Sequence, residues 1–204
     1  MARTRRVNGE LFEMMISGER VKTRVRQLAR RISRDYRGKV PVLIGVLNGS
    51  FIFLADLVRE LTIDCEIDFL KLSSYGDAKI SSGNVRLLKD LNCQVEGRDI
   101  IVVEDIVDSG LSVKYMGELI RRQNPKSMRF VTLLCKNDAV RHDVTLDYIG
   151  FSIGHAFVIG YGLDYAQRER NLKAVYRLRE QRKQSTGARV ERGAKQVHER
   201  SETV

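Results

Sequence analysis

Short, unbroken apolar runs recur along this chain, each followed by a polar break and then by apolar residues spaced three and four apart. Pro41-Val42-Leu43-Ile44-Gly45-Val46-Leu47 is one run, Ile100-Ile101-Val102-Val103 a second, Met128 to Cys135 a third and Ala156 to Tyr161 a fourth. A strand without polar alternation is one buried on both faces, as in parallel sheets covered by helices. Helical spacing follows two of the breaks: Ile52, Leu54, Ala55 and Val58 share a face within Phe51 to Leu61, and Leu111, Met116, Leu119 and Ile120 share one further on. An amphipathic helix also precedes the first run, with Val21, Val25, Leu28, Ala29 and Ile32 on one side and Arg and Lys between them. Ile63 to Lys71 alternates, with Ile63, Cys65, Ile67 and Phe69 on one face, and Val85 to Leu88 reads as a short strand. Ser73 to Gly83, polar and rich in Ser and Gly, has the composition of a mobile loop. Strands alternating with helices predict an α/β fold, a doubly wound and mainly parallel sheet flanked by helices.

From about Gln181 onward apolar residues almost vanish, so residues 181–204 read as a basic, disordered or weakly held tail behind one domain spanning 1–180. No apolar run approaches the ~20 residues needed to span a bilayer. The N-terminus, Met1-Ala2-Arg3-Thr4-Arg5-Arg6, is basic and lacks the apolar stretch of a secretory signal. Cys65, Cys93 and Cys135 are odd in number and widely spaced, which suits reduced thiols in a cytoplasmic protein better than a disulfide frame. His142, His155 and His198 show no ligand spacing, which argues against a structural transition-metal site. The net charge of +10 is uneven: residues 1–39 hold twelve basic against four acidic side chains, residues 180–204 six against four, and the body between is balanced. A neutral body with basic ends argues against a nucleic-acid groove through the core.

The second run carries the chemistry. Ile100-Ile101-Val102-Val103-Glu104-Asp105-Ile106-Val107-Asp108-Ser109-Gly110-Leu111-Ser112 places two adjacent carboxylates where the strand should stop, then a third, then a Ser-Gly-x-Ser turn opening a helix. In open α/β sheets ligands bind at the carboxyl ends of strands, and a helix N-terminus there offers unpaired N–H groups to a phosphate. Acids beside a phosphate cradle suit a ligand with hydroxyls, a metal, or a need for a base. A phosphorylated sugar has that combination.

This run resembles the phosphoribosyl-pyrophosphate (PRPP) signature of the type I phosphoribosyltransferases, in the Val-Glu-Asp-Ile-x-Asp-(Ser/Thr)-Gly form of the hypoxanthine-guanine enzymes. The resemblance covers about residues 7 to 178. It implies the type I phosphoribosyltransferase fold, with a small hood made by the chain ends, from about 1–35 and 165–180. It also implies that Asp108, Ser109, Gly110, Leu111 and Ser112 bind the 5′-phosphate, that Glu104 and Asp105 hold the ribose hydroxyls directly or through Mg2+, and that Asp108 is the general acid or base at N7 of a purine. Leu47-Asn48-Gly49, at the end of its own strand, resembles the pyrophosphate loop, where the pair matching Leu47-Asn48 is joined by a cis peptide. Many relatives carry Lys at the place of Asn48, so the backbone is left as the pyrophosphate ligand. Ser74 and Tyr75 resemble the start of the catalytic loop that closes over the reacting centre.

Two further segments extend the resemblance. Lys136, at the end of the third run, matches the lysine that donates to the purine 6-oxo group. Phe157-Val158-Ile159-Gly160-Tyr161-Gly162-Leu163-Asp164-Tyr165 resembles the purine-binding stretch: Phe157 stacking on the base, the Val158 backbone pairing with its edge, and Asp164 helping Glu104 and Asp105 hold Mg2+. Arg170 matches the arginine that clamps pyrophosphate. The chain departs from the family pattern at Gly154-His155-Ala156, at Arg168-Glu169 and at Leu111. The resemblance implies a purine-salvage transferase acting on hypoxanthine, and guanine, with PRPP, in a homodimer or homotetramer without membrane or nucleic-acid partners. The +8 segment of residues 1–39 leaves open an RNA-binding regulator on the same fold, and a catalytically silent relative is the third alternative; the Lys136 and Phe157 segments argue against the regulator, and retention of Asp108, Lys136, Asp164 and Arg170 against the silent relative.

Overall fold

The computed structural model describes residues 3–74, 85–136 and 145–179. In chain order these form β1 (Thr4–Val7), β2 (Glu10–Ile16), α1 (Gly18–Asp35), β3 (Val42–Leu47), α2 (Phe51–Glu60), β4 (Glu66–Ser74), β5 (Val85–Lys89) and β6 (Asp99–Val107). They continue as α3 (Leu111–Arg121), β7 (Ser127–Lys136), β8 (Tyr148–Ile153), β9 (Val158–Ile159) and β10 (Val175–Leu178). The main sheet has the order β5-β4-β3-β6-β7-β8, parallel throughout except for the antiparallel edge strand β5.

The unbroken apolar runs lie where burial on both faces requires. Leu43, Ile101 and Val103 face a core shared with α1 and α2, while Val42, Ile44, Val46, Ile100 and Val102 face the opposite core, closed by Val113, Met116 and Ile120 of α3. Gly45 allows this packing, because a Cβ there would lie 2.7 Å from Leu54 Cδ2 of α2. From β3 the chain crosses to β4 on one side, and from β6 to β7 on the other. The loops after β3 and β6 therefore meet at the point where strand order reverses, which is where a crevice opens in such sheets.

A second, antiparallel sheet, β1-β2-β10-β9, joins segments from both ends of the described chain around Val7, Phe12, Ile159, Ala174 and Tyr176. The α1 face expected from periodicity is buried as read, and Ser17 caps the helix by accepting from the Arg20 amide. Other boundaries differ. β6 continues through the carboxylates to Val107, so Glu104 and Asp105 are strand residues. α2 is rotated from the expected face: Phe53, Leu54 and Leu57 are buried and Ala55 is exposed. Ile67 is exposed rather than inward. The fourth run is strand only at Val158–Ile159, because Gly160, Tyr161 and Gly162 all adopt positive φ and turn the chain. β1, β2, β8 and β10 have no counterpart in the sequence reading.

Candidate active site

The crevice is lined first by the carboxyl end of β6. Glu104 is 7% exposed and Asp105 half-buried, side by side on the strand. Burial pushes the Glu104 carboxyl well above its ordinary range, and the neighbouring Asp105 charge pushes it further. Burial raises Asp105 as well, opposed by the Ile106 amide, which donates to its Oδ1 at 2.8 Å, and by Arg170. After Val107 the chain turns at Asp108-Ser109-Gly110, with Gly110 left-handed at φ +83° as the N-cap of α3. Gly110 has no side chain to cap the helix end, and of the first amides the Leu111 N–H donates to Ser109 Oγ at 3.4 Å.

The loop after β3 meets the same point. The Leu47-Asn48 peptide is cis. Gly49 packs directly on the Asp105 carboxylate, and a Cβ at Gly49 would overlap Asp105 Oδ2. A Cβ at Gly162, φ +99°, would likewise overlap the Gly49 carbonyl oxygen. Arg170 ties the third segment in: its Nη1 donates to the Gly162 carbonyl at 2.8 Å, and its Nη2 lies 2.8 Å from Asp164 Oδ1. Two loops and the end of β6, distant in sequence, are thus in van der Waals or hydrogen-bond contact around the half-buried Asp105 carboxylate and one guanidinium.

Lys136, at the end of β7, places Nζ 2.7 Å from Asp108 Oδ2. Strand register explains the meeting, since Val107 lies opposite Cys135 in the β6–β7 pair. Phe157 is 46% exposed at the rim, not in the core. Tyr165 meets its ring edge-on at 5.3 Å and Phe12 lies behind at 6.1 Å. Val158 is buried beside it in β9. Among the described residues no three His, Cys, Asp or Glu side chains gather into a cluster able to hold a metal alone. Asp164 pairs with Arg170 and accepts from the Gln167 amide, so it does not join Glu104 and Asp105. All three cysteine thiols are pushed up by burial, Cys93 to about 11 with Asp68 beside it, which disfavours a nucleophilic thiolate.

Residues 15–166 match the phosphoribosyl transferase domain family. The chain belongs to the phosphoribosyltransferases. This phosphoribosyltransferase is 44% identical over 166 residues to the hypoxanthine-guanine phosphoribosyltransferase of Bacillus subtilis, covering 81% of this chain and 92% of that one. Among solved structures it is similar to a hypoxanthine-guanine phosphoribosyltransferase from Bacillus anthracis, with TM-score 0.77, 42% identity, and 81% and 97% of the two chains covered. A hypoxanthine phosphoribosyltransferase from Staphylococcus aureus gives TM-score 0.78 at 35% identity, over 82% of this chain and 91% of that one.

The site residues named from sequence divide accordingly. Gly49 is brought against Asp105 and Gly162, Arg170 against Gly162 and Asp164, and Lys136 against Asp108. Ser74 closes β4 opposite Val85, and Tyr75 lies outside the described residues. Sequence reasoning missed the second row of this phosphoribosyltransferase's site. Phe12 and Tyr165 back Phe157, and Arg5 reaches Glu169 at 2.7 Å. The Tyr161 hydroxyl donates to Asp56 Oδ2 at 2.7 Å, which together with burial pushes the phenol up. Helical and strand periodicity carry no signal for such pairs.

Proposed function

We propose that this phosphoribosyltransferase joins a 6-oxopurine, hypoxanthine and also guanine, to PRPP, releasing the nucleoside 5′-monophosphate and pyrophosphate in purine salvage. The observation that carries the reading is the Lys136–Asp108 pair, 2.7 Å apart at the mouth of the phosphate cradle. An ammonium donates and cannot accept, so it selects a 6-oxo over a 6-amino group. A carboxylate beside it can take the base's proton. The relatives' names support the same substrates.

In this reading the amides from Asp108 to Ser112, with the Ser109 and Ser112 hydroxyls, bind the 5′-phosphate at the α3 N-terminus. Phe157 stacks on the base and the Val158 backbone pairs with its edge. N9 of the purine forms a bond to C1′ while the C1′–oxygen bond to pyrophosphate breaks with its electron pair. Asp108 accepts the proton from N7. Glu104 and Asp105 bind the ribose hydroxyls and set negative charge near a sugar that becomes cationic in the transition state. The Leu47-Asn48-Gly49 backbone and Arg170 hold the departing pyrophosphate, and Ser74 and Tyr75 close over it.

Glu104 and Asp105 fit Mg2+: they are two adjacent hard-oxygen donors whose carboxyls burial pushes up for want of compensating positive charge. Asp164 would join as a ligand on exchanging Arg170 for the ion. When bound, the ion would neutralise and orient the pyrophosphate. The protein is read as one cytoplasmic domain over residues 1–180, its hood built from both chain ends, assembling as a homodimer or homotetramer. Incubation with hypoxanthine, PRPP and Mg2+ should yield inosine monophosphate and pyrophosphate in equal amounts; product from adenine or uracil instead would overturn the reading.

A further inference from the structure

The turn carrying Arg170 is built from residues that do not favour its shape. Ala166, Gln167 and Glu169 all have positive φ, 52°, 67° and 73°, and none is glycine. Such a turn keeps its form only where its surroundings fix it. From inside, Asp164 accepts the Gln167 amide at 2.8 Å and Arg170 bonds the Gly162 carbonyl. From outside, the only cation within ion-pair distance of Glu169 among the described residues is Arg5 of β1, whose Nε lies 2.7 Å from Glu169 Oε2. That oxygen is sealed from solvent and has no hydrogen-bond partner. The Arg5 guanidinium is therefore its principal charge compensation, and losing it leaves a sealed oxygen of a largely covered carboxylate without a counter-charge.

Strand pairing puts Arg5 where it can do this. Arg5 sits opposite Phe12 in the β1–β2 ladder, so both reach over the same face. Phe12 lies 6.2 Å from the Tyr165 ring, and the Tyr165 hydroxyl bonds Glu10 of β2. The first hairpin thus grips the turn at its start through Tyr165 and at its end through Glu169, one residue before the guanidinium that faces the crevice.

We propose that Arg5 is a positioning residue for the pyrophosphate end of the site: its ion pair with Glu169 fixes the 166–170 turn and so the placement of Arg170. This rests on the reading of Arg170 as a pyrophosphate clamp. Arg5 touches no substrate and acts only through Glu169. Its effect therefore falls on substrates that carry pyrophosphate and spares the purine.

The test is steady-state kinetics in both directions on the full chain, with melting temperatures recorded for every variant. Arg5→Ala should raise KM for PRPP and for pyrophosphate roughly three- to thirtyfold, with kcat and purine KM within about twofold of the parent. Adding Glu169→Gln to Arg5→Ala should restore part of the loss by removing the uncompensated charge, and the exchange Arg5→Glu with Glu169→Arg should outperform either of its single changes. Unchanged KM for PRPP in Arg5→Ala, an equal rise for the purine, or an exchange no better than the worse single change would overturn the proposal. Arg170→Ala is measured alongside. If it leaves KM for PRPP unchanged, the clamp reading fails; if it raises KM and Arg5→Ala does not, only the positioning role fails.

Discussion

Lys136 Nζ lies 2.7 Å from Asp108 Oδ2, bridging the end of β7 to the turn between β6 and α3. Lys136 is the less exposed partner, its side chain 15% accessible against 58% for Asp108. The two groups thus hold each other at the place the proposed function assigns to the purine edge, where a 6-oxopurine would take a share of both, its oxygen accepting from the ammonium and its N7–H donating to the carboxylate. Because the pair is open to solvent on the Asp108 side, its own strength is modest. Exchange for substrate is correspondingly easy.

Asp108→Asn keeps the shape and removes the carboxylate proposed as the base. It should lower kcat by about 10²–10⁴ while the affinity for PRPP, measured by equilibrium titration, stays near the parent's. Equal loss of PRPP affinity would mean that Asp108 serves the phosphate cradle rather than the proton.

Lys136→Gln removes the committed donor and substitutes an amide that both donates and accepts. The preference for hypoxanthine over adenine, read as the ratio of kcat/KM values, should shrink by about 10- to 100-fold. KM for PRPP should hardly move. A preserved ratio would shift base selection to the Val158 backbone.

Glu104 gives a pH prediction with a definite sign. Its carboxyl is pushed above the ordinary 4.5 in the folded protein by burial and by Asp105, so folding favours the protonated form. That contribution is complete below the ordinary value and is lost as pH rises through the raised one. The ligand-free protein should therefore lose melting temperature as pH rises above the ordinary carboxyl value. Glu104→Gln, which cannot ionise, should flatten that slope, by roughly 2–4 °C for each kcal/mol of relieved burial cost. Identical pH profiles for the two proteins would contradict the assignment.

Gly49→Ala tests the contact between loops. The added methyl would overlap the Asp105 carboxylate, and overpacking of this kind typically costs about 1–3 kcal/mol. The expected result is a lower melting temperature together with weaker PRPP binding, since the loop and the carboxylate can no longer sit together. A neutral outcome would mean the loop moves freely away from β6.

The parts legible in sequence were those with a local signature. The doubly buried strands β3, β6 and β7 showed as unbroken runs because each face has its own core, and α1 showed as a clean periodic face. The Asp108 to Ser112 turn stood out through Gly110 and the carboxylates of Glu104, Asp105 and Asp108 that lead into it. The second sheet did not, because β1 and β2 mix charged and apolar residues and are completed by β10, some 160 residues away. Tertiary packing also overrode the pattern on α2, where Phe53 and Leu57 won burial over Ala55. Departures from the family pattern could be seen at Arg168-Glu169 but not understood, since the partner of Glu169 is Arg5. The meeting of Gly49, Asp105 and Gly162 is likewise a property of the closed fold, not of any one segment.

The most direct measurement is kcat/KM of the purified protein with saturating PRPP and Mg2+ across hypoxanthine, guanine, xanthine, adenine and uracil. The account predicts turnover of hypoxanthine and guanine, with adenine and uracil inert. Turnover of adenine or uracil at comparable efficiency, or of no base at all, would contradict it.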